Sequence, residues 1–154
     1  MPVEQLYSQP GHLIRRCQQM AVAIFAEETS GYDITPVQFA ALFTIREHPG
    51  LEQATLARLI AFDRSTVGSV IDRLEEKKLV VRRTAKHDRR ANLLHATEAG
   101  EVVLKAVMGR VARAQERMLE PLSPRDRKTF IRLMMRLVGV DEATHLASLD
   151  AAAE

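Results

Sequence analysis

The chain has 154 residues, of which 46% are hydrophobic and 27% charged, with a formal net charge of +2; this is an ordinary globular composition, sized for one domain or one subunit of an intertwined dimer. No apolar run approaches the roughly 18 residues that a membrane span needs, and residues 1–10 lack the basic-then-apolar order of a signal peptide. The lone Cys17 excludes an internal disulfide and fits a reducing cytoplasm.

Leu13, Cys17, Met20 and Ile24 recur at helical spacing and predict a first helix over 11–29. Ser30-Gly31-Tyr32-Asp33 breaks it. Thr35-Pro36 supplies an N-cap and a first-turn proline for a second helix. That helix is apolar nearly all round (Val37, Phe39, Ala40, Ala41, Leu42, Phe43, Ile45), so it should be buried. Pro49-Gly50 ends it, and a short helix follows over 53–60 with Leu56, Leu59 and Ile60 inward. Asp63 caps the next helix, which runs to about Lys78 with Val67, Val70, Ile71 and Leu74 on one face. Its opposite face carries Ser65, Gly68, Ser69 and Asp72, flanked by Arg64 and Arg73. Gly68 costs about 1 kcal/mol relative to alanine inside a helix, and its missing side chain suits close approach to another surface.

Residues 79–84 and 92–97 read as two short strands, with the charged segment Lys86-His87-Asp88-Arg89-Arg90 at the tip between them. Thr97 caps a long helix reaching about Glu120. Along it Leu104, Val107, Val111, Ala114 and Met118 form a 3,4,3,4 seam, the pattern of helix-to-helix packing. Pro121 stops that helix. Ser123-Pro124 starts a last one with Phe130, Leu133, Met134, Leu137 and Val138 inward, and Gly139 ends it. Residues 141–154 read as a tail or a short helical turn.

Charge is unevenly spread. From Asp63 to Asn92 there are nine Lys or Arg against five Asp or Glu, while the remainder is net acidic. A basic segment on a nearly neutral chain is the footprint of a polyanion site, although ordinary solvated lysines and arginines produce the same count. The element order (helix, helix, short helix, helix, β-hairpin) predicts a mainly α winged helix-turn-helix with a small β-hairpin wing. In such a motif the start of the second helix reaches base edges in the major groove, which makes Arg64, Ser65, Thr66 and Ser69 the candidate readers. Arg73, Arg82, Arg83 and Lys86 suit phosphate contacts. Arg90, beside Arg89 near the hairpin tip, suits a narrow minor groove.

These features resemble the multiple antibiotic resistance regulator (MarR) family over roughly 13–138. The resemblance rests on Asp88 and Arg90 followed by a strand ending Ala96-Thr97, where the family pattern has Leu-Thr. It also rests on Asp63-Arg64-Ser65-Thr66-Val67 with Asp72-Arg73-Leu74-Glu75, and on Thr97-Glu98-Ala99-Gly100. The resemblance implies a cytoplasmic transcriptional repressor, an Asp88 that braces a nearby arginine, and a homodimer on an inverted-repeat operator in double-stranded DNA. It implies dimerisation by the first helix and the last two, so that 1–34 and 98–140 would dimerise and 35–97 would bind DNA, with 141–154 as a tail. The Leu104–Met118 seam agrees, because it should lack a partner within its own chain.

The first helix and the run 34–42 are similar to regulators of aromatic-compound catabolism, which implies a small aromatic carboxylate or its thioester as effector. Arg15 or Arg16 would supply the fork that a carboxylate wants, with His12 and Gln38 as further candidates. Surface ion pairing explains the same two arginines equally well. The alternative switch is peroxide sensing at Cys17, which requires an exposed thiol; its place on the apolar stripe argues for a buried one. No nucleophile motif, phosphate loop or His-Glu metal motif is present, and the five histidines are scattered. The expectation is therefore a regulator without cofactor or metal, and not an enzyme.

Overall fold

Helix boundaries follow the caps. The computed structural model describes residues 3–84 and 92–140. In chain order these form α1 (Val3–Leu6), α2 (Pro10–Glu28), α3 (Pro36–Glu47), β1 (Leu51–Glu52), α4 (Gln53–Leu59), α5 (Arg64–Glu76), β2 (Val80–Thr84), β3 (Asn92–Ala96), α6 (Glu98–Leu119) and α7 (Pro124–Leu137). The chain forms two units, 1–115 and 116–154. Thr35 and Gln38 close a reciprocal capping box at the start of α3. Asp63 accepts from Thr66 N at 2.9 Å, Thr97 from Gly100 N at 3.1 Å, and Ser123 from Asp126 N at 3.2 Å. Each cap satisfies a backbone donor that the helix itself cannot, worth about 1 kcal/mol.

Three helix C-termini share one pattern. After α4, α5 and α7 the chain closes with paired bonds: Phe62 N to Ala57 O and Ala61 N to Arg58 O; Leu79 N to Leu74 O and Lys78 N to Glu75 O; Val140 N to Met135 O and Gly139 N to Arg136 O. Each closure needs a residue at positive φ. Gly139 supplies it at no steric cost, but Ala61 (φ 57°) and Lys78 (φ 60°) also adopt it.

The core lies in unit 1. Leu42, Ile45, Leu56, Val67, Ile71, Leu74, Val80, Leu94, Leu104 and Val107 are almost wholly buried, each contributing about 1.5–3 kcal/mol of burial. A three-stranded antiparallel sheet in the order β1-β3-β2 sits against them, with Leu51 and Arg82 both opposite Leu94 and Val80 opposite Ala96. Strand β1, two residues long, and the short α1 leave no periodic signal in the sequence. Ala96, where the family pattern has leucine, is half-buried against the core. Among the described residues no helix is long and apolar enough to cross a membrane.

Several sequence expectations need correction. The α6 seam does not lack a partner: Leu104, Val107, Val111 and Ala114 are buried by their own chain. Gly100 lets α6 press onto the Leu79 carbonyl, Arg110 donates to Glu28 O at 3.2 Å, and Leu104, Val107 and Val111 join the core cluster of their own chain. The open apolar faces are elsewhere. On α2, Leu13, Ile14, Cys17 and Met20 are exposed, because only its C-terminal half, through Phe25, enters the core. Cys17 is therefore not a buried thiol in this chain. Leu59 points outward from α4, and Leu133, Leu137 and Val138 are exposed at α7, which buries no residue. The tail 141–154 lies outside the described residues.

Candidate nucleic-acid interface

Helix α5 has two unlike faces. Val67, Ile71 and Leu74 are fully buried and Val70 nearly so, while Arg64, Ser65, Ser69, Asp72 and Arg73 are exposed. Such a helix is fixed from behind by apolar burial and presents a small polar front. Its N-terminus is set by Asp63, which accepts from both Thr66 N and Thr66 Oγ1, the latter at 2.5 Å. The Thr66 hydroxyl and backbone N–H hold the Asp63 carboxyl below its ordinary range. Thr66 thus spends its hydroxyl proton on the cap and keeps only oxygen lone pairs for a base. Ser69 donates to Ser65 O at 3.3 Å, and rotation of that hydroxyl frees it for another partner.

Gly68 has an intramolecular reason. A side chain there would meet Gln53 Nε2 at 3.1 Å, and Gln53 reaches over this gap toward Arg64 O at 3.5 Å. The surface that approaches Gly68 is therefore α4 of the same chain. Gln53 borders this candidate face, and the sequence pattern does not reveal it because its partner lies across the helix-turn-helix bend.

The basic candidates divide. Arg64 and Arg83 are exposed. Arg73 makes an exposed pair with Glu76 at 3.0 Å, three residues on, the kind of contact worth little in water. Arg82 differs: Nη2 lies 2.7 Å from Asp72 Oδ1 and Nη1 donates to Glu75 Oε2. Strand periodicity accounts for the contrast between the two neighbours, since Arg82 shares its face with buried Val80 and Arg83 lies on the other. Lys86, Asp88, Arg89 and Arg90 lie outside the described residues.

The effector candidates are spread over two helices. Arg15 and Arg16 are exposed on α2. His12 is half-buried, its ring edge-on to Tyr7 at 5.8 Å, and its Nε2 has no hydrogen-bond partner. Gln38 is buried on α3, and its Oε1 accepts from Thr35 N and from Lys77 Nζ. Among the described residues no hydrogen bond joins Gln38 to His12, Arg15 or Arg16. A cleft of about 330 Å³ is lined instead by Arg46, Glu101, Val102, Lys105 and Met108.

A capped helix with a small polar front, locked behind a helical turn and followed by a two-stranded basic wing, defines a winged helix-turn-helix DNA-binding protein. Residues 32–91 match the model of the MarR family. The chain is 37% identical over 135 residues to a putative transcriptional regulatory protein for the hcr operon of Thauera aromatica, covering 87% of this chain and 81% of that one. Its fold superimposes on Bordetella bronchiseptica BpsR, whose DNA binding is regulated by 6-hydroxynicotinic acid (TM-score 0.80, 28% identity, 86% and 95% of the two chains). It also superimposes on the repressor CouR bound to a 23-mer DNA duplex (TM-score 0.81, 25% identity, 90% and 98%). The chain belongs to the MarR family and is a transcriptional regulator, not an enzyme.

Proposed function

We propose that the chain is a homodimeric repressor of the bacterial cytoplasm, released from an inverted-repeat operator by a small aromatic carboxylate or its thioester. The observation that carries the DNA half is the front of α5, where Arg64, Ser65 and Ser69 are exposed over a fully buried back. Arg64 pairs with guanine, Ser65, Thr66 and Ser69 meet neighbouring bases, and Arg73, Arg83 and Lys86 hold phosphates. Arg90 enters the minor groove beside Arg89, with Asp88 bracing the wing. The exposed apolar residues of α2 and α7 support a dimer, because patches of this kind mark protein interfaces. On this reading 35–97 is the DNA-binding lobe, and 1–34 and 98–140 make the dimer.

The effector class is supported by BpsR, which responds to an aromatic carboxylic acid. Arg15 and Arg16, exposed on α2, supply the cationic fork, with His12 Nε2 as a further polar contact. The oxygen of Gln38 is already engaged, which leaves its amide N–H groups for a ligand. The ligand must prefer one dimer conformation, since equal affinity shifts nothing. A tenfold loss of operator affinity needs about 1.4 kcal/mol of coupling. Titrating benzoates, cinnamates, hydroxynicotinates and their thioesters against the operator complex tests this, and Arg15→Ala or Arg16→Ala should blunt the response. Peroxide sensing at Cys17 is the second reading, and a single cysteine on the α2 stripe assigned to the dimer does not favour it. If no aromatic acid disturbs the complex and peroxide does so only with Cys17 present, that second reading replaces the first.

A further inference from the structure

The sequence places Arg82 and Arg83 together as phosphate contacts, but the structure separates them. Arg82 is held on two carboxylates of α5, Asp72 and Glu75, and its own backbone N–H donates to Glu75 Oε1 at 3.0 Å. Its side chain is only 23% exposed. Directly opposite on β3 is Leu94, which is fully buried. The first wing strand is therefore bonded through Arg82 to the recognition helix on one side and anchored to the core on the other.

We propose that Arg82 is a positioning residue: through Asp72 and Glu75 it fixes the wing strand to the recognition helix so that both meet the operator as one rigid unit. Two physical consequences follow. A planar guanidinium shared between two acids has little freedom, so the angle between β2 and α5 is set before DNA arrives. The pairing also offsets Asp72, whose carboxylate is 63% exposed on the flank of the reading face and would otherwise repel phosphate. Arg82 raises specificity without touching DNA, whereas exposed Arg83 remains a candidate phosphate contact.

This inference rests on α5 as the reader, so wild-type binding to the operator tests that premise, and only differences among variants test Arg82. Affinities for operator and for a random duplex would be measured across a salt series for Arg82→Ala, Arg82→Lys and Asp72→Asn, with thermal midpoints as a check on folding. For Arg82→Ala we expect at least a tenfold loss on operator, a much smaller loss on random DNA, and an unchanged salt slope. Arg82→Lys should fall between it and wild type, because an ammonium is a point charge that cannot span both acids in a plane. Asp72→Asn decides the sign. It removes a negative charge beside DNA, yet should weaken operator binding several-fold because one arm of the bridge is lost. If Arg82→Ala does not fold, Asp72→Asn and Arg82→Lys decide alone. Two results overturn the proposal: an equal loss on both DNAs with a slope shallower by about one, which marks a phosphate contact, or an Asp72→Asn variant that binds operator more tightly than wild type.

Discussion

Lys77 Nζ donates to Gln38 Oε1 at 3.0 Å, joining the end of the recognition helix to the capping box that starts α3. The same ammonium pairs with Asp33 Oδ2 at 3.0 Å. The connection between the first two long helices is thus tied to the end of α5. Gln38→Ala removes half the box and one acceptor of a mostly covered lysine that keeps Asp33 as its partner, and should cost about 1 kcal/mol in urea denaturation. Gln38→Glu keeps both acceptor roles and should cost less. A Gln38→Ala variant as stable as wild type, but altered in effector response, would make Gln38 a ligand contact and not a structural one.

Lys78 follows α5 at φ 60° inside a closure that favours glycine. The left-handed conformation costs a non-glycine residue about 1–2 kcal/mol, offset in part by the extra freedom of glycine when unfolded. Lys78→Gly should therefore raise stability by up to about 1 kcal/mol, and Ala61→Gly by a similar or smaller amount. Thermal midpoints lower than wild type for both would show that the side chains contribute more than the backbone strain costs.

Two helical glycines should behave oppositely. A Cβ at Gly100 would lie 2.3 Å from the Leu79 carbonyl oxygen, a backbone atom that already accepts from Thr97 N. Gly100→Ala should therefore cost about 3 kcal/mol or more, because strand and helix would have to separate. At Gly68 the obstacle is the tip of Gln53, a flexible side chain. Gly68→Ala gains up to about 1 kcal/mol of helix propensity and should be neutral or stabilising. Calorimetry on the two variants compares them directly.

The cap on α5 has a pH signature. Asp63 titrates below its ordinary range because Thr66 donates to it twice. A carboxyl whose pKa is depressed on folding stabilises the fold fully above its unfolded value and loses that contribution as pH falls through the folded value. The contribution should thus be complete at neutral pH and fade only in acid, below about pH 4. Thr66→Val, which removes the hydroxyl, should move the Asp63 pKa upward, as followed by carboxyl NMR. An unmoved pKa would mean that the hydroxyl does not bond to the carboxylate in solution.

Base reading and phosphate anchoring separate at Arg64. Arg64→Ala should lose about 1–3 kcal/mol of discrimination at one base pair per half-site. Half-sites should lie about one helical turn apart, roughly 34 Å, as a footprint of the operator would show. A loss spread evenly over all base substitutions would instead assign Arg64 to a phosphate.

Local pattern by itself determined helices α2 to α7, the two wing strands and the caps at Thr35, Asp63, Thr97 and Ser123. Period, cap chemistry and breakers act over a few residues and are written in order along the chain. The same pattern marked Val67, Val70, Ile71 and Leu74 as the buried face of the recognition helix. Only the tertiary structure decided which apolar stripes found partners. The Leu104–Ala114 seam is filled by its own chain, while the stripe through Leu13 and Met20 stays open. Periodicity says that a face is apolar, but not which surface covers it. Tertiary structure also decided which charges are already paired. Arg82 and Arg83 are adjacent and chemically identical, yet one is held by Asp72 and Glu75 and the other faces outward. An ion pair depends on what the fold brings within about 3 Å, and the bend between α5 and β2 sets that distance.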